Sequence, residues 1–332
     1  MTRPSPLKNL TPGRLLDARL FSVVVVIVLA CMPFVLDAYT LMSLSEVLAL
    51  GLLAVSVAIL AGNAGLPSLG QVAPYAVGMY TTVVLIRAGL TVGPLLVLAS
   101  AAAAAIFCLV LGPAVVRTRG VVFLMLTLAI GELTYEVMQR WTSVSGGTDG
   151  TGRYDATRFF FGSDPMVDPE SMYWYCFGVA VVVVGIVAAL TAATPGRLIR
   201  GIRDNEARMR ADGHRVGIYL VGVYVGAGAV AGIGGSLMAS SQRMVFPADA
   251  NFTISALVLM AVVIGGASSL NGAVFGIGLV LMIRDWASTS VAEHGPLVLG
   301  LLFIAVVYLL PDGFAGAMRR VGLMRLKRGG AT

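Results

Sequence analysis

Long apolar runs are the first constraint on this chain. Ten stretches, roughly 20–36, 42–61, 72–88, 92–116, 119–139, 172–193, 216–241, 252–268, 271–288 and 296–311, are dominated by Val, Leu, Ile, Ala and Gly and carry little charge. A helix needs about 20 apolar residues to cross the roughly 30 Å of hydrocarbon in a bilayer. The pattern therefore predicts an all-α polytopic membrane protein with about ten transmembrane helices. The runs at 72–88 and 271–288 follow Gly-rich turns, so re-entrant or broken pieces are expected near 62–72 and 265–272. A soluble domain is excluded: 58% of residues are hydrophobic and only 12% charged, with a mean hydropathy of +0.89.

The polar remainder reads as topology. Net charge is +6, and arginine outnumbers lysine 21 to 2. With an N-terminus inside, segments 1–19, 62–71, 117–118, 194–215, 269–270 and 312–332 face the cytoplasm, and they hold most of the arginine. The outer segment 140–171 has three arginines against five acids. That asymmetry predicts both termini inside. Residues 1–19 resemble a signal n-region, but no small-residue cleavage site follows, so 20–36 is read as a retained first span within a permease domain of 20–311. Residues 312–332 form a basic tail. Cys31, Cys108 and Cys176 sit in apolar runs and are read as small buried hydrophobes. With only His214 and His294, no histidine metal site is expected.

One segment breaks the apolar pattern. TPGRLIRGIRDNEARMRADGHR, Thr194–Arg215, holds six arginines and three acids. Thr194 is an expected N-cap with Pro195 in the first turn, and Gly213 is an expected helix end. Arg200 with Asp204, and Glu206 with Arg210, stand at i,i+4 spacing. Leu198, Ile199 and Ile202 make an apolar patch, so one or two short amphipathic helices are expected. Three uses compete: a solvated loop that only sets topology, a lipid-surface helix, or a docking helix for a cytoplasmic protein. The mixed signs favour docking, because a protein cleft can pair both.

This segment resembles the cytoplasmic loop of the permeases of branched-chain amino acid ABC transporters. Gly196, Arg197, Ile202, Arg203, Asp204, Asn205, Glu206 and Gly213 carry the likeness. Five other stretches extend it. GLPSLGQVAPYAVGMYT matches through Ser68, Leu69, Gly70, Gln71, Gly78 and Tyr80, and RGVVFLMLTLAIGEL through Arg119, Gly120, Phe123, Thr127, Leu128, Ala129, Gly131 and Glu132. SGGTDG matches through Gly146, Gly147, Asp149 and Gly150, GGASSLNGAVFG through Gly265, Gly266, Ser269, Gly272 and Gly276, and LLPDGFAG closes the series. Together they span about 45–316, and the likeness is to the longer of the two permease subunits. Departures are Gly201 for the usual Ala, the inserted Arg208, Met209, Arg210 and Asp212, Ser268 for Gly, and Leu310 for Arg.

The resemblance implies a coupling helix at 195–213 that includes Arg200 and seats in a cleft of an ATPase subunit. It implies a homologous permease partner, two cytoplasmic ATPases and a periplasmic or lipid-anchored binding protein, all at a bacterial inner membrane. The chain itself binds no cofactor, ATP and Mg being used by the partners. It is not an enzyme, and nucleic acid is not a partner. The implied solute is a branched-chain or other hydrophobic amino acid; relatives that import urea or short amides give the alternative, and an ion-coupled secondary transporter is a third class.

Four further residues are candidates for the pathway or for helix pairing: Ser68, Gln71, Thr127 and Glu132. Glu132 lies two-thirds along an apolar run, where charge is costly, and is expected inside the bundle. Glu46, Arg87, Glu136, Arg284 and Asp285 sit near run ends and are expected at headgroups. The Gly-rich stretch 226–235 predicts close helix approach, and 143–154 predicts either a shaped outer loop or a flexible connector.

Overall fold

The computed structural model describes residues 25–34, 36–160, 162, 164–266, 269–290 and 300–301. The expected termini and nearly all of the tenth run lie outside these. Helices follow one another along the chain: α1 (Val25–Phe34), α2 (Ala38–Ala64), α3 (Val72–Arg87), α4 (Gly93–Val115), α5 (Gly120–Arg140), the single turn α6 (Thr142–Ser145) and α7 (Pro169–Ala192). Then come α8 (Thr194–Asp204), α9 (Glu206–Ala211), α10 (Val216–Gln242), α11 (Phe252–Gly265) and α12 (Leu270–Ser290). No strand forms among the described residues beyond isolated bridges at Val92, Arg158 and Pro165.

Five helices, α2, α4, α5, α7 and α10, are long and apolar enough to cross a bilayer. The chain is a multi-pass membrane protein. At 1.5 Å per residue the 27 residues of α10 extend about 40 Å, whereas the 16 of α3 reach only about 24 Å.

Helix α10 is the axis of the bundle and packs on α2, α3 and α4. Its small residues permit this. A Cβ on Gly232 would lie 2.4 Å from Ala104 Cβ and 2.8 Å from the Ser100 carbonyl, and one on Gly235 would lie 2.1 Å from the Tyr75 carbonyl. Lipid tails are as apolar as leucine, so helix association in a bilayer rests on such backbone proximity and on interhelical hydrogen bonds. The bonds are present at the same junction: Thr82 Oγ1 meets Ser100 Oγ and Ser236 Oγ, each at 2.8 Å, and Ser100 donates to the Gly78 carbonyl at 2.9 Å. The sequence expectation for 226–235 is met by this packing.

The two expected breaks take different forms. Helix α2 ends in a π-turn over Ile59–Ala64, and Gly65 is left-handed at φ 70°. Residues 66–71 then leave helical geometry while buried, with Leu66, Ser68 and Gln71 at 1–2% exposure. The stretch 62–71 is therefore not a solvated inner loop. Its buried non-helical backbone is satisfied by protein: Leu66 N–H to Leu60 O, Leu69 N–H to Thr127 Oγ1, Gly70 N–H to Ser68 Oγ. The second break is a tight helical hairpin. Gly266 turns at φ 97°, and α11 and α12 approach so closely that a Cβ on Gly276 would lie 2.1 Å from the Ala261 carbonyl.

Side chains near several run ends find protein partners. Arg87 donates to the carbonyls of Val144 and Thr151, and Glu46 pairs with Arg284 at 3.4 Å. Cys108 and Cys176 are buried, but Cys31 is exposed, because α1 turns its Leu29 and Ala30 side to the core. The segment 143–154 is a shaped loop. Thr151 exchanges bonds with Val245, Tyr154 N–H bonds Arg243 O, and Tyr154 OH donates to Ala239 O at 2.7 Å. This loop caps the ends of α3 and α10; α8 and α9 lie at the opposite end, beside the end of α2.

Candidate functional site: the α8–α9 unit

One extended residue, Ala193, separates α7 from α8, so α8 is nearly continuous with a long helix. Helix α8 begins at Thr194, and Ala193 rather than Thr194 occupies the N-cap position. The Thr194 hydroxyl instead accepts from Arg197 at 3.2 Å. Pro195 sits in the first turn, as expected. The chain breaks at Asn205, which is extended (φ −157°, ψ 91°) and accepts the Arg208 N–H on Oδ1 at 3.0 Å, starting α9. Gly213 at φ 84° ends the unit.

The candidate residues divide by what they touch. Ile202, 3% exposed, enters an apolar cluster with Leu60, Leu66, Val116, Phe123 and Leu220, flanked by Ile199 and Met209. Gly196 lies so close to the Thr191 carbonyl that a Cβ would sit 2.1 Å from it. Arg200 donates to the same Thr191 carbonyl at 2.9 Å, and Asp204 pairs with Arg203 at 3.1 Å. The expected Arg200–Asp204 pair is thus replaced, because the end of α7 offers Arg200 an unpaired carbonyl. Arg203 lies across Gly65 and donates to the Gly62 carbonyl. A guanidinium there satisfies an orphan carbonyl and suits the negative end of α2.

Glu206 is the electrostatic centre. It pairs with Arg210 at 2.6 Å, as the spacing predicted, and with Arg119 at 3.1 Å, at the start of α5. The Arg119 hydrogen bond, with help from Arg210, holds its carboxyl below the usual range against partial desolvation. The α8–α9 unit is therefore tied to α2 by Arg203, to α5 by Glu206 and to α7 by Arg200, and it runs into α10. Arg197, Asp204, Asn205, Arg208 and Asp212 remain exposed. Sequence reasoning noted Arg119 only as part of a motif. Its partner is 87 residues away, and no helical spacing links the two.

Three of the other four candidates converge. Ser68, Gln71 and Thr127 are each 0–1% exposed where the 66–71 segment crosses α5. Ser56 donates to Gln71 Oε1 at 2.8 Å, and a Cβ on Gly70 would lie 2.2 Å from the Thr127 carbonyl. Glu132 does not join them. Helix α5 buries Phe123, Thr127, Gly131 and Thr134, which share one face; Glu132 is turned off that face and is exposed, beside Leu133 at 65%.

Residues 39–307 match the family described as branched-chain amino acid transport system / permease component. The chain belongs to that family. It is similar to the high-affinity branched-chain amino acid transport system permease protein LivM of Escherichia coli K12. The two are 27% identical over 346 residues, covering 96% of this chain and 79% of that one. LivM of Salmonella typhimurium LT2 is also 27% identical, with the same coverage. No solved structure matches. The chain is a transport permease.

Proposed function

We propose that this chain is one permease subunit of an importer for branched-chain or other hydrophobic amino acids in a bacterial inner membrane. It pairs with a homologous permease, docks two cytoplasmic ATPases and receives solute from a periplasmic or lipid-anchored binding protein. Ten spans place both termini and the 194–215 coupling loop in the cytoplasm and the 140–171 loop outside. ATP and Mg act in the ATPases, so this subunit supplies geometry rather than catalysis.

The observation that carries this reading is the α8–α9 unit. Its apolar side is seated on the bundle, its inner charges are tied to three helix ends, and its outer charges are free to pair with a protein cleft. A rigid push on that surface reaches α2, α5, α7 and α10 together. The uncovered α5 face, with exposed Leu133 and Glu132, fits a second permease, in which Glu132 finds a polar partner.

Glu206 is engaged within the chain, so the docking test belongs to exposed charges. In the reconstituted importer, Arg208→Glu is expected to lower ATPase co-purification and ATP-driven leucine uptake while leaving the permease monodisperse. Uptake that proceeds without any ATPase would reject the proposal in favour of a secondary transporter.

A further inference from the structure

At the end of the bundle away from α8–α9 lies a cavity of about 430 Å³, within the roughly 300–1,000 Å³ of small-molecule sites. It is bounded by the first turns of α2, the residues leading into α7 and the end of α10. Glu46 and Arg243 both line it, and Met42, Met166 and Met172 supply apolar wall.

Arg243 is unusual in two respects. At φ 54° it is the one non-glycine residue with positive φ among those described. Its backbone is held there by bonds to Ala239 O at 3.1 Å and from Tyr154 N–H at 3.2 Å. Its guanidinium has no carboxylate or carbonyl partner among the described residues, whereas Arg284, Arg210 and Arg119 each have one. An L residue held left-handed at a helix end, with its charge unspent, is the kind of outlier that marks a site. Glu46 is held from behind by Arg284 at 3.4 Å. Glu46 and Arg243 thus set opposite charges on the wall of one cavity, each only partly exposed.

We propose that this cavity is a binding site for an α-amino acid with an apolar side chain. Arg243 takes the α-carboxylate, Glu46 takes the α-ammonium, and the three methionines take the side chain. Methionine suits the last task because its flexible thioether adapts to branched aliphatic shapes. A guanidinium matches a carboxylate with two parallel donors. This deepens the transport reading and rests on it for direction: the cavity opens at the end where solute arrives.

The test is saturable binding of radiolabelled L-leucine to the full chain in nanodiscs, without binding protein. Leucinamide lacks the carboxylate and isocaproate lacks the amine; each is expected to compete at least about tenfold less well than leucine, the effect of losing one charge-assisted bond. Arg243→Gly removes the charge and relieves the backbone, so it folds; it is expected to bring leucine down to the leucinamide level. Glu46→Gln, checked by size exclusion, is expected to bring leucine down to the isocaproate level. Absent binding, or binding indifferent to Arg243→Gly, overturns the inference. Displacement of leucine by added phosphatidylethanolamine but not by leucinamide or isocaproate also overturns it and gives the cavity to a lipid headgroup. ATP-driven leucine uptake by the assembled importer separates the two readings. Uptake without cavity binding removes this site and keeps the importer; cavity binding without ATP-driven uptake does the reverse.

Discussion

Replacing Ile202 with alanine tests how the α8–α9 unit is held. Helix α8 has 11 residues, and only Gly196 and Ile202 are buried. A helix shorter than about 12–15 residues is marginal alone, so tertiary contacts must hold α8 in place. The Arg119–Glu206 pair is 38% and 30% exposed, so it contributes no more than about 1 kcal/mol. Ile202, at 3% exposure among Leu60, Phe123 and Leu220, is the larger anchor. Truncating such a side chain to alanine costs about 2–5 kcal/mol. A loss of about 3 kcal/mol shifts the docked–undocked balance roughly 150-fold. Hydrogen exchange of the chain in nanodiscs reads this directly: amides of 194–211 are expected to lose about two orders of magnitude of protection, while the buried middle of α10 is unchanged. Arg197→Ala, on the exposed side, is the control and is expected to exchange like the parent. Unaltered exchange at 194–211 would refute the anchoring argument, and so would an equal loss throughout α10.

Two further outcomes follow from the geometry. Gly232→Ala forces a methyl against Ala104 and the Ser100 carbonyl and is expected to destabilise by about 1–3 kcal/mol, whereas Gly226→Ala, with nothing within 4 Å, is expected to leave the melting temperature unchanged. The lowered Glu206 carboxyl gives stability that is fully present above its ordinary value of 4.5 and is lost as pH falls through the lower folded-state value. The protection factors of the α9 amides are therefore expected to be constant from pH 8 to 5 and to fall below that range, except in Glu206→Gln, where they stay flat.

Much was legible from the sequence because bilayer solvation leaves a backbone few options. Apolar run length alone located α2, α4, α5, α7 and α10. Local spacing foresaw the Glu206–Arg210 pair and the turn at Gly213, and left open whether one or two short helices form. Ser68, Gln71, Thr127 and Glu132 were brought forward as one group, and the first three do come together. What local reasoning missed was long-range pairing. Arg200 chose Thr191 over Asp204, Glu206 also chose Arg119, and Glu132 fell on the uncovered side of α5.

The sequence by itself determined class: long apolar runs fold as helices, five of them long enough to cross a bilayer, and a dense island of arginine lies outside them. Only the tertiary structure decided partners. Which carbonyl an arginine caps, which face of α5 is covered, and whether Glu46 and Arg243 share a cavity depend on where helices distant in the chain meet. Charges act over a few ångströms in space, and sequence separation carries no information about that distance.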